Sequence, residues 1–224
     1  MTGELAIAKE VSTQDLVANF ERGLEGMFEF FENYSGQNAQ RSDTKLYKVY
    51  QACRYMYLAK GKRRVHTEGT SSKADLTFKH VFNYGGFVSQ DTITVDATYM
   101  NKEDYYNDLL DIAPIHGLEI RAATQSLAKN SANMARDILG RHVQYNKLME
   151  YRTGVVGNYF TFMAFLDLND PEHVHSRARY LSLLSKGVNV VLVPYRQLDS
   201  SVYIDTTSVY VPRSVSLTTY IESL

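Results

Sequence analysis

Between residues 45 and 64 the chain sets seven basic side chains, Lys45, Lys48, Arg54, Lys60, Lys62, Arg63 and Arg64, among Tyr47, Tyr50, Tyr55 and Tyr57. Clustered cations neutralise phosphates by releasing their counterions, and phenol rings give unpaired bases a flat surface to stack on. The same cations can instead dock on an acidic protein surface. One lies just upstream, where Glu21, Glu25, Glu29 and Glu32 recur at helical spacing. Matched charge across an interface sets orientation and partner choice more than strength. Docking onto that acidic face, in the same chain or in an adjacent copy, is the favoured reading. Contact with single-stranded nucleic acid is the alternative, with Tyr47 and Tyr55 as the rings left for bases once Tyr50 and Tyr57 turn to the apolar side.

The remaining candidates for chemistry read as structural. His173-Val174-His175 resembles, in three letters, the paired histidines of rolling-circle nucleases, which share a metal from one face of a strand. Here Asp170-Pro171 opens a helix, and on a helix residues i and i+2 point about 200° apart. His66 with Glu68, His116 with Glu119, and His142 lack metal-ligand spacing. Cys53, the only cysteine, falls on an apolar helix side, where a thiol is core. Tyr84-Gly85-Gly86-Phe87 lacks the strand-to-helix setting of a phosphate loop and reads as a turn. Asp104, Asp108 and Asp111 read as one solvated helix face. The sequence therefore assigns no catalytic residue, no metal and no cofactor.

The elements that must position the two charged stretches are legible from period. Ser12 and Asp15 form a capping-box-like start, after which Leu16, Phe20, Leu24, Met27 and Phe31 repeat at helical spacing, so a helix is expected over 13–34. Ser42 or Asp43 opens a second helix in which Leu46, Val49, Tyr50, Cys53, Met56 and Tyr57 share a side until Gly61. The two are expected to form an antiparallel hairpin. Leu76, Phe78 and Phe82, a turn at 83–86, and alternation through Ile93, Val95, Ala97 and Tyr99 read as a β-hairpin. Asn101 caps a helix from Lys102 to Asp111. Helical spacing from Leu118 to Arg152 gives a helix of roughly 50 Å if unbroken, with a break expected near Lys129-Asn130-Ser131 if it is not. Residues 159–168, a helix to Lys186 and residues 188–193 read as a strand–helix–strand crossover in a parallel sheet. The Val/Thr/Ser/Tyr-rich tail from Ser200, with Pro212 inside it, reads as a sheet edge or as a strand on a partner's sheet.

These elements give an α+β fold: an N-terminal helical hairpin, a β-hairpin, a long central helix, and a C-terminal mixed sheet with one crossover helix. The chain reads as a single domain over residues 1–224, with sub-parts 1–114 and 115–224. With 224 residues, 44% hydrophobic and 22% charged, a core of ordinary size is available. A net charge of −1 excludes a surface that binds polyanions everywhere. A lone cysteine suits a reducing compartment, and the opening MTGELAIAKEVSTQD lacks the apolar run of a signal peptide. No apolar run reaches the roughly 20 residues of a membrane span. The expectation is a non-enzymatic structural subunit, in a homo-oligomer or a hetero-assembly and with no membrane partner. Within that class a virion component, such as a phage neck, tail or head-to-tail connector protein present in the host cytoplasm, fits best. A single-stranded nucleic-acid binder using residues 45–64 is the alternative.

Overall fold

The structure is a computed structural model, and it describes residues 11–33, 46–65, 74–81, 88–122, 127–206 and 214–224. The fold is α+β. In chain order the elements are α1 (Thr13–Asn33), α2 (Tyr47–Ala59), β1 (Lys62–Arg64), β2 (Ala74–Val81), β3 (Val88–Val95), β4 (Ala97–Asn101), α3 (Lys102–Tyr106) and β5 (His116–Ala122). They continue with α4 (Leu127–Thr153), β6 (Phe160–Asp167), α5 (Pro171–Leu184), β7 (Asn189–Leu198), β8 (Ser201–Ile204) and α6 (Leu217–Ser223). Six strands form one mixed sheet in the order β1-β4-β5-β6-β7-β8, while β2 and β3 pair as a separate two-stranded sheet. The pairs β5–β6 and β6–β7 are parallel, and β1–β4, β4–β5 and β7–β8 are antiparallel. Strands from both sides of residue 114 thus share one sheet.

Helices cover both faces of that sheet, which is why β6 and β7 are apolar at nearly every position. Alternate residues divide between two cores. Met163, Phe165, Val191 and Val193 pack with α1, α2 and α6, whereas Phe162, Ala164, Val190 and Leu192 pack with α4 and α5. On α1 the stripe Leu16, Phe20, Leu24 and Met27 is buried, so the helical repeat read from the sequence is the one that meets the sheet. On β5, Gly117 lies directly under the Tyr145 ring. A Cβ there would stand 2.7 Å from the ring's Cζ, so only glycine lets α4 settle at this depth.

Several expectations are corrected. Leu118–Ala122 is not the start of a helix but part of β5. The helix begins at Leu127 and runs unbroken through Lys129-Asn130-Ser131, and as a second crossover it lies against the sheet instead of projecting from it. Residues 92–99 are not one strand: the chain bends at Asp96, leaving β3 in the hairpin and sending β4 into the main sheet. The helix after Asn101 stops at Tyr106, and Asp108, with φ of 55°, turns the chain. Asp108 and Asp111 therefore lie beyond the helix that Asp104 belongs to. Among the described residues the tail is a sheet edge at β8 and at a bridge from Val215 to Val191, after which it forms α6. Proline is tolerated within β7 for a plain reason. The Pro194 carbonyl accepts from the Asp205 amide just past the last β8 pair, so the missing N–H falls beyond the β8 ladder and costs it no bond. Ser42, Asp43, Gly36, the turn at 83–86 and Pro212 lie outside the described residues.

Candidate interaction surfaces

The basic stretch does not stay together. Lys48, Arg54 and Tyr55 lie on the exposed side of α2. Lys60 follows the helix end, and Lys62, Arg63 and Arg64 form β1, the edge strand at one end of the sheet. Short, cationic edges are a common protection against strand addition. Their side chains are also engaged within the chain: Lys62 Nζ donates to Asn101 Oδ1 at 2.8 Å, and Arg63 donates to the Tyr106 hydroxyl and lies 5.1 Å from that ring's centre. Arg64 is half-buried beside Tyr50, Cys53, Tyr57 and Asp96. Burial, then the neighbouring Arg54 charge, pulls its pKa down. Lys45 lies outside the described residues.

The acidic face divides as well. Glu21 Oε1 accepts from the Ile204 amide at 2.8 Å, and Glu25 Oε1 accepts from the Val202 amide at 3.0 Å. Both carboxylates therefore serve the outer edge of β8. Glu29 is exposed, and the Glu32 side chain lies outside the described residues.

Where α1 and α2 do meet, a groove of about 570 Å³ opens between them, lined by Asn19, Arg22, Glu25 and Glu29 on one side and Lys48, Gln51 and Tyr55 on the other. Gly23 and Gly26 set its depth. A Cβ on Gly23 would lie 3.1 Å from the Lys48 carbonyl oxygen, and one on Gly26 would lie 3.0 Å from Lys48 Cγ. Lys48 thus lays its stem across Gly26 and keeps its charge in solvent, as long cationic side chains do. The groove mixes both signs of charge and has the exposed Tyr55 ring in its wall. Tyr47, two turns earlier on α2, is exposed as well, and its hydroxyl accepts from Gln51.

Two buried polar groupings escaped the sequence reading. Glu119, fully buried, accepts from Arg141 at 2.8 Å and pairs with Arg121, which lies 3.6 Å from Asp96. Asp96 in turn accepts from the Ile120 amide at 2.7 Å and from the Tyr50 hydroxyl at 3.3 Å. Its carboxylate continues the β5 ladder at the bend where β3 leaves and β4 enters the main sheet. On the other face, Tyr57 stacks on Tyr99, Tyr99 stacks on His116, and the Tyr99 and Tyr220 hydroxyls meet at 2.9 Å. Three residues apart on a strand, His116 and Glu119 face opposite ways, so they share no site.

The other histidines and the cysteine have structural partners. His173 Nδ1 accepts from the Asp167 amide at 2.9 Å, which leaves the proton on Nε2, 3.7 Å from Asp170 Oδ2. The His175 side chain, and all of His66 and Glu68, lie outside what is described. Burial, with Asp96 nearby, pushes the Cys53 thiol up, so it stays a thiol. Among the described residues no group of three His, Cys, Asp or Glu is arranged to hold a metal, and no helix is long and apolar enough to cross a membrane.

Compared with family models, curated proteins and solved structures, the chain matches none. Fold and surfaces define its class: an α+β protein with a mixed sheet covered on both faces, whose charged surface residues are divided among its own edges, a helix–helix groove and solvent.

Proposed function

We propose that this chain is a non-enzymatic structural subunit of a larger assembly, working as one of several copies or beside other proteins. Within that class we favour a virion component of the neck, tail or head-to-tail connector type, made in the host cytoplasm. The observation that supports an assembly role is an apolar cluster at the end of α4. Ile112, Tyr151, Val155 and Val156 are 63%, 61%, 57% and 79% exposed. Arg152 Nε donates to the Ala113 carbonyl at 3.4 Å, which brings the loop holding Ile112 to the end of α4. The Tyr159 hydroxyl donates to the Val155 carbonyl and the Thr153 hydroxyl accepts from the Val155 amide, both at 3.1 Å, and these bonds hold the loop in shape. Large side chains kept exposed on a fixed loop lose area to water that an interface would recover. The mass of the full chain in solution, over a range of concentrations, tests this. Association above one chain's mass, reduced by Val155→Asp with Val156→Asp, is expected. A strict monomer that joins no complex at high concentration overturns the reading.

A second reading has its own observation. Tyr47 and Tyr55 stand exposed on α2 beside Lys48 and Arg54, the pairing of rings and cations that single strands need. It requires salt-sensitive binding of oligonucleotides that weakens when Lys48 and Arg54 are changed to glutamine. No binding at low salt removes it.

A further inference from the structure

We infer that α1 carries a substitute strand: Glu21 and Glu25 close the outer edge of β8 against strand addition, and the partner they exclude is the β8 edge of a second copy. Strand β8 ends the six-stranded sheet. Its inner side is paired with β7, and its outer amides at Val202 and Ile204 are the two that the carboxylates take, at 3.0 and 2.8 Å. The match is one of spacing. Four residues of helix rise about 6 Å, and two residues of antiparallel strand span about 6.8 Å. Helical i and i+4 acids therefore fall opposite strand i and i+2 amides, as the carbonyls of a seventh strand would. The pairing is also antiparallel in sense, since Glu21 meets Ile204 and Glu25 meets Val202.

The acids can reach the edge because the neighbouring residues fix the helix. Phe20 and Leu24 are fully buried, as are Leu16 and Met27 to within 1%. Each acid follows one of these anchors by a single residue, and so stands about 100° round the helix from it. In the sequence this reads as Phe20-Glu21 and Leu24-Glu25, an anchor and a guard repeated once per turn.

The self-partner follows from what the edge presents. Residues 201–204 are Ser-Val-Tyr-Ile and carry no charge, so two copies facing each other meet no repulsion. Tyr203 and Leu198, on β8 and beside its turn, are 54% and 57% exposed and would pair or pack across such a join. At the other end of the sheet, β1 is guarded by like charge: Lys62, Arg63 and Arg64 of one copy repel those of another. At β8 the guard works by occupying the donors.

The test compares three forms of the full chain by solution mass and by amide hydrogen exchange at Val202 and Ile204. Glu21→Ala with Glu25→Ala is expected to associate two-fold beyond the wild-type state as concentration rises. At high dilution both amides should exchange at least ten-fold faster than in the wild type. Glu21→Gln with Glu25→Gln keeps an accepting oxygen at each position and is expected to keep the wild-type mass. A folded double-alanine form with wild-type mass at every concentration overturns the inference, as does a glutamine form that associates equally. Should the double-alanine form not fold, Glu25→Ala alone retains Glu21 and every anchor. If neither its mass nor exchange at Val202 then changes, the inference fails. All readings are differences from the wild type, so they stand whether or not the wild type itself assembles.

Discussion

On the face of the sheet covered by α1, α2 and α6, the buried polar groups are mostly hydroxyls, one of which reaches Asp96 at the sheet's margin, while on the face covered by α4 and α5 a carboxylate is buried between two guanidinium groups. Tyr57, Tyr99 and Tyr220 bury neutral phenols, and burial holds all three pKa values above the ordinary tyrosine value. Glu119 buries a carboxylate with Arg121 and Arg141 at 24% and 32% side-chain exposure around it. A neutral hydroxyl needs one hydrogen-bond partner to be tolerated inside, whereas a buried charge needs a counter-charge and full hydrogen bonding. The two faces should therefore fail differently. The first loses a bond at a time, and the second loses a charge balance.

The largest effect is expected at Glu119. In Glu119→Ala the two guanidinium groups lose the carboxylate they share, and a loss of about 3–5 kcal/mol is expected, read from urea unfolding. Tyr220→Phe on the opposite face removes one hydroxyl and leaves that of Tyr99, itself 4% exposed, without its partner at 2.9 Å. A loss of about 1–2 kcal/mol is expected there. Equal losses at the two positions would erase the distinction between the faces.

Helices and strands with a full period were legible in the sequence. In α1 the spacing of Leu16, Phe20, Leu24 and Met27 placed the helix to within a residue of Thr13–Asn33, and the apolar runs of β6 and β7 with α5 between them placed the parallel crossover. Strand β5 was not legible. Its alternation, Leu118-Glu119-Ile120-Arg121, is short, and Leu118 also fits the helical spacing that runs on to Arg152; Arg141 of α4 shows why Glu119 is inside. Helix α6 was hidden in a tail of β-prone residues. Leu217, Tyr220 and Ile221, all buried, do recur at helical spacing, and Ser216 accepts from the Thr219 amide as an N-cap. That signal was available.

The charged candidates show a different limit. Their residue types were plain in the sequence, but their partners lie far along the chain. Lys62 finds Asn101, Arg63 finds Tyr106, and Glu25 and Glu21 find amides 177 and 183 residues away. Charge complementarity between neighbouring helices was the simplest reading of the pattern. Tertiary structure gave two of the acids backbone donors instead, because α1 runs beside β8, the last strand of the sheet among the described residues.

The smallest expected effect lies at His116, on the hydroxyl face. His116 stacks on Tyr99 at 5.2 Å and lies 5.6 Å from the Tyr159 ring. Burial first, then the Lys62 charge, lowers its pKa below the ordinary 6.5. The folded protein thus keeps His116 neutral at pH values where the unfolded chain already binds a proton. Stability is full above about pH 6.5 and falls as pH drops from there towards the folded-state pKa, because the unfolded state then holds more protons. His142, lowered by burial alone, adds a slope of the same sign. His116→Phe should therefore flatten the acid side of the stability curve without abolishing its slope. Lys62→Met should move the His116 ring-proton titration in NMR upward, towards the free value. Titration of wild-type His116 at or above 6.5 would show that the tyrosine stack tolerates a charge without a counter-charge, and the contrast with the Glu119 side would fall with it.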